Sequence, residues 1–183
     1  MIKWAVPIAG CAVALAGVPA HAAETAIPKA YVTGYSWQDN TPPGGAISNP
    51  VLHQAAGGVG TYADPITVAV GHSIINRRDT LDYPQGTRFY IPAFRRYFIV
   101  EDTCGDGGHP QNGPCHNLSE APRGATTWLD VWVGGKGGTA SAVDACMDKI
   151  SDLHAVKRVP LSTYPVVPGP IFGTNGKCTA IYS

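Results

Sequence analysis

The chain has 183 residues, with 13 Lys and Arg balanced by 13 Asp and Glu. With charged residues at 14% and no basic cluster longer than Arg77-Arg78 or Arg95-Arg96, nucleic acid and anionic membrane surfaces are poor candidates as partners. The 22 glycines and 16 prolines point to a loop-rich β-protein, and the length suits one domain with a single core, expected to be a monomer.

Met1-Ile2-Lys3 is a short positive start, Trp4 to Pro19 is almost wholly apolar, and Ala20-His21-Ala22 offers small residues where a signal peptidase looks. Residues 1–22 are therefore expected to be a signal peptide and residues 23–183 a single secreted or periplasmic domain. Ile8-Ala9-Gly10-Cys11 is a weaker, lipobox-like alternative. No later stretch is long and apolar enough to span a bilayer as a helix. Removing the leader leaves Cys104, Cys115, Cys146 and Cys178, an even number in an exported chain, which favours two disulfides over reactive thiols. Three pairings are possible. The preferred one joins Cys104 to Cys115 across a glycine-rich loop and Cys146 to Cys178 between a helix and the tail. The spacing does not suit a zinc site, and no metal or other cofactor is expected.

In chain order, Ala30 to Trp37 reads as a first strand, with Tyr31, Thr33, Tyr35 and Trp37 on one face. Asp39 to Gly45 ends it as a turn, and Ala46 to Tyr62 is glycine-rich loop. Ile66 to Val70 is a β-branched strand. An insertion from Ser73 to Asp82 intervenes before strands at Thr87 to Pro92 and Tyr97 to Glu101. Then, from Thr126 to Val133, the even positions place Asp130 between Trp128 and Trp132, while Leu129, Val131 and Val133 line the other face. Thr139 to Asp152 is the one helix, with Val143, Cys146, Met147 and Ile150 at helical spacing and Thr139 or Ser141 as cap. Two short β-like runs, Tyr164 to Val167 and Thr179 to Tyr182, close the chain.

The Trp-Asp-Trp strand carries the chemistry. An indole face can stack on a pyranose, and a partly dry carboxyl beside it has its charged form disfavoured, as a working acid requires. The competing reading is a half-buried strand whose tryptophans pack under a loop and whose aspartate is a solvated edge charge. His109, His116 and Asp106 share one loop without a metal-ligand template and are read as loop polarity. His53 and His72 have no assigned role.

The run Pro84-Gln85-Gly86-Thr87-Arg88-Phe89-Tyr90-Ile91-Pro92, then Val100-Glu101-Asp102-Thr103, then Leu129-Asp130-Val131 resembles the three-aspartate domain of membrane-bound lytic transglycosylase A. That domain lies within the double-psi β-barrel superfamily, together with family-45 endoglucanases, expansins and rare-lipoprotein-A type proteins. The resemblance covers roughly Ile66 to Val133 and implies a mainly β fold, a six-stranded double-psi barrel with one packed helix. It makes Asp130 the catalytic acid and Asp39 a second carboxylate that could act as base. Asp102 would orient substrate or support Asp130, unless it only closes an Asx-turn. Two departures stand out: Gly71-His72 replaces the pattern's first aspartate, and Asp-Thr-Cys-Gly replaces Asp-Thr-Gly-Gly.

The leading expectation is a secreted protein that cleaves a wall polysaccharide, with Tyr35, Trp37, Trp128 and Trp132 binding sugar. The alternatives are an expansin-like glycan-binding protein that loosens walls without hydrolysis, and a disulfide-stapled inhibitor or effector module that binds another protein.

Overall fold

A computed structural model describes residues 23–40, 42–105, 115–180 and 182. The expected signal peptide with Cys11, and Asp106 and His109 of the disulfide loop, lie outside the described residues.

The elements are β1 (Thr25–Ser36), β2 (Ile66–Val70), β3 (His72–Ile75), β4 (Arg78–Leu81), β5 (Arg88–Ile91), β6 (Arg96–Thr103), β7 (Thr127–Gly134), α1 (Ala140–Ile150) and β8 (Asp152–Arg158). Six strands close a barrel in the order β1-β7-β2-β6-β5-β8, and β3 and β4 form a separate hairpin. Two pairs are parallel, β1 with β7 and β2 with β6, and the antiparallel β2–β7 pair lies between them. The mainly β fold, the closed six-stranded barrel, the single helix and both disulfides, Cys104–Cys115 and Cys146–Cys178, follow the sequence reading.

Strand alternation fills the interior. Val32, Val68, Val70, Phe89, Ile91, Val100, Leu129, Val131 and Val133 are 0% exposed and contribute to one core cluster. Along β2 all five residues are buried, because the outer positions are covered too: Thr67 Oγ1 accepts from the Gly57 amide at 3.1 Å, within the loop that precedes the strand.

The strand boundaries differ from expectation in three places. First, β1 begins at Thr25, earlier than Ala30. Second, the insertion after β2 folds as the β3–β4 hairpin, with Ile74 opposite Asp79. Third, the barrel is closed by β8, which follows α1 directly and pairs with β1 and β5. Among the described residues neither tail run expected as a strand forms one; the tail pairs instead through isolated bridges outside those runs, Phe172 to Gly134 and Phe172 to Cys178. Pro165, Pro168 and Pro170 remove the amide donors that a continuous ladder would need. Arg96, 1% exposed, straps this tail down by donating to the carbonyls of Gly169 at 2.9 Å and Thr179 at 2.8 Å.

Helix α1 is capped by Thr139, whose side chain accepts from the Ala142 amide, and buries Val143, Cys146 and Ile150. It packs where β1 carries Gly34. A Cβ added there would lie 2.9 Å from Val133 Cγ1 and 3.0 Å from Ile150 Cδ1. Gly34→Ala is therefore expected to cost about 1–3 kcal/mol through overpacking, read as a lowered thermal midpoint. An unchanged midpoint would mean that α1 can back away without loss.

Candidate functional site

Register brings the site together. Ala69 on β2 pairs with Asp102 on β6 and with Asp130 on β7, and Asp130 in turn pairs with Thr33 on β1. One row thus runs Asp102, Ala69, Asp130, Thr33 across four adjacent strands. The two acids rise on either side of an alanine, their backbones two strand spacings apart, ~9.5 Å. A methyl group between them leaves the gap open.

A bulge makes this row possible. Val68 pairs with Val100, but the next residue, Ala69, pairs with Asp102, so β6 carries one extra residue at Glu101. Such an insertion re-aims side chains locally. Here Glu101 and Asp102 serve two neighbouring purposes, and Asp102 turns into a cleft of about 720 Å³.

Tyr35, Asp39 and Asn40 form one wall of that cleft, Ala46 to Ser48 a second and Thr103 to Gly105 a third, with Asp130 in the floor beside Ala69. All three carboxylates singled out in the sequence, Asp39, Asp102 and Asp130, therefore share one cavity. Asp102 Oδ1 accepts from the amides of Ser48 and Thr103 and from Ser48 Oγ, each at 3.0 Å, while Oδ2 accepts from the Tyr35 hydroxyl at 3.1 Å. Burial raises the Asp102 carboxyl above its ordinary value, although these donors pull it the other way. The Tyr35 phenol is pushed well above its ordinary value, by burial first and then by the charges of Asp102 and Asp130. Tyr35 is consequently a neutral donor at any physiological pH. Asp39 lies in the turn after β1, where its Oδ1 accepts from Ser36 N at 2.5 Å and Ser36 Oγ at 2.6 Å. One of its oxygens therefore maintains the turn.

Asp130 is held differently. Thr33 Oγ1 donates to its Oδ1 at 2.8 Å, and His116 Nε2 stands 3.9 Å from its Oδ2. The side chain of Asp130 retains 17% exposure, so the carboxyl is neither lost in the core nor on a convex exterior.

The tryptophans are not among the residues that line this cleft. Among the described residues lining the cleft the large aromatic is Tyr35, not an indole. Trp132 is 7% exposed and meets Tyr35 edge-on at 5.1 Å. The Trp37 ring is capped by the Lys136 ammonium, 4.5 Å from its centroid. Trp128 is stacked by the His116 imidazole, with centroids 4.7 Å apart and planes 10° apart, and Tyr31 tilts against it at 4.8 Å.

Three residues were missed by sequence reasoning. His116, read as loop polarity, stands beside Asp130. His53 and Glu101 belong to a chain that runs outward from the buried Glu101: its Oε2 lies 2.6 Å from His53 Nδ1, and His53 Nε2 lies 2.8 Å from Asp64 Oδ1. These partners are 48 and 11 residues apart, and no local spacing signals them.

Fold and cleft together define a class: a disulfide-stapled, closed six-stranded β-barrel with an acid-lined cleft on its wall. The chain belongs to the family described as the DDB_G0273701 N-terminal domain, whose profile matches residues 27–179. It is similar to an uncharacterized protein of Dictyostelium discoideum, 34% identical over 150 residues, which cover 80% of this chain. The match takes in 58% of that relative's length. No solved structure matches the chain.

Proposed function

We propose that the protein is exported and acts on a cell-wall polysaccharide, cleaving glycosidic bonds in the cleft with Asp130 as general acid. The observation that carries this is the convergence of Asp39, Asp102 and Asp130 on one open cavity. Glycoside cleavage needs a proton donor to the leaving oxygen and a second carboxylate to activate water or stabilise charge. Asp130 lines the cavity beside Ala69, with Thr33 Oγ1 donating to its Oδ1 and its side chain still 17% exposed, so the carboxyl can meet a glycosidic oxygen that enters there. Asp39, which lines the same cavity, is the second carboxylate. Asp102 and Tyr35 shape the cavity between them.

The double-psi assignment of the barrel belongs to the same reading and is supported by the two parallel pairs that flank an antiparallel one. Export is supported by the two disulfides, which persist in oxidising compartments. The contacts of Lys136 on Trp37 and His116 on Trp128 favour cleavage over expansin-like adhesion, because each takes up ring surface that an adhesive face would offer to sugar.

The test is incubation of the protein with insoluble cellulose, chitin and peptidoglycan, followed by assay of soluble fragments and of the configuration at each new end. Fragments from one polymer are expected, with inverted anomers if Asp39 directs a water molecule. Release from none of a broad glycan panel would overturn the reading.

A further inference from the structure

Trp128 looks from the sequence like a sugar platform, yet its ring atoms have other occupations. Its indole Nε1 donates to Thr33 Oγ1 at 2.9 Å, and the same hydroxyl donates in turn to Asp130 Oδ1 at 2.8 Å. One ring face carries the His116 imidazole in parallel stacking, which sets His116 Nε2 against Asp130 Oδ2. Both oxygens of the Asp130 carboxyl are thus approached by groups resting on the same indole.

His116 shows how closely that arrangement is constrained. It is 5% exposed, follows the disulfide-bonded Cys115, and has φ of 54°. A non-glycine residue adopts that left-handed conformation at a cost and keeps it only where its surroundings over-determine it. The stacking on Trp128 and the neighbouring cystine are those surroundings.

We propose that Trp128 is a positioning residue for Asp130: it contacts no sugar, but fixes the acid through Thr33 on one side and His116 on the other. The inference rests on Asp130 being the proton donor. It changes what Trp128 contributes, from affinity to the orientation of the reacting carboxyl. A hydrogen bond that fixes the hydroxyl facing a carboxylate affects the rate when the carboxyl must point at one oxygen of the substrate.

The experiment uses the glycan that the wild-type chain cleaves and compares Trp128→Phe, Thr33→Val and the double variant, with Thr33→Ser as the conservative control. Phenylalanine keeps a ring under His116 and loses the N–H, and valine keeps the shape of threonine and loses the hydroxyl. Each single variant is expected to lower kcat by ~10-fold to 100-fold with KM unchanged. The double variant should be no worse than Thr33→Val alone, because the two changes break one relay, and Thr33→Ser should retain activity. Pull-down of insoluble glycan, measured in an Asp130→Asn background so that nothing turns over, should be equal with and without Trp128→Phe. A raised KM or weakened pull-down at unchanged kcat would show that the indole holds sugar and would overturn the proposal. Multiplicative losses in the double variant would overturn it as well. Absence of any product from the wild-type chain is a different failure: it removes the proposed activity itself, and the positioning role falls with it.

Discussion

Glu101→Ala is expected to lower the unfolding free energy by about 3–5 kcal/mol, measured as a shift of the urea midpoint. Glu101 is 0% exposed, and its Oε1 accepts from the amides of Val51 at 3.2 Å, Leu52 at 2.5 Å and His53 at 2.9 Å. Oε2 accepts from Thr67 Oγ1 at 3.2 Å and meets His53 Nδ1. Alanine leaves these donors without an acceptor, and His53 with a carboxylate on one side instead of two. Replacement by a residue that merely empties volume at an exposed position would cost a fraction of this.

The same chain of groups sets a pH window. Burial alone would raise Glu101, but its contacts with His53 and the loop amides hold it below the ordinary value of 4.5. Burial alone would lower His53, but Glu101 and Asp64 together hold it above 6.5. Glu101 therefore contributes stability that is complete above about 4.5 and is lost as pH falls through its depressed folded value. His53 contributes stability that is complete below about 6.5 and is lost as pH rises through its raised folded value. The wild-type urea midpoint should be highest between those two limits, and Glu101→Ala should flatten both flanks. A midpoint that climbs steadily from pH 5 to pH 8 would refute the account.

Asp130→Asn should leave a folded protein and remove about 10²- to 10⁴-fold of glycan cleavage, the usual contribution of a positioned proton donor. The amide is isosteric, and its oxygen can still accept from Thr33, so the floor of the cleft keeps its shape. What it lacks is an acidic proton. The measurement is the initial rate of sugar release by variant and wild type at equal concentration, with the circular dichroism spectrum as control. Equal release by both would remove Asp130 from the chemistry and direct attention to Asp102 or Asp39, its neighbours in the cavity.

Several of these features were legible in the sequence because they depend on local pattern. β-Branched and aromatic runs located β2, β5 and β6, alternation located β7, helical spacing located α1, and the even cysteine count with loop closure gave both disulfides. β8 was hidden because of its seven residues only Val156 is fully buried, so no period of two stands out, and no glycine or proline separates it from α1. The acids were visible as types, but what brings Asp102 opposite Ala69 is a bulge between β2 and β6. Nothing in the run Val100-Glu101-Asp102 announces an extra residue. The tryptophans show the opposite limit: alternation gave the common face of Trp128 and Trp132, whereas what covers Trp37 and Trp128 depends on Lys136 and His116, 99 and 12 residues away along the chain, the second held beside a disulfide.

The irregular step in β6 has a mechanical meaning. Because Glu101 and Asp102 are adjacent and both engage the segment from Ser48 to His53, Asp102 through Ser48 and Glu101 through residues 51–53, a single strand grips the cavity's flank at two points. Deleting the surplus residue would restore regular pairing at the expense of that double grip, so the irregularity is what ties the loop over the cavity to the barrel.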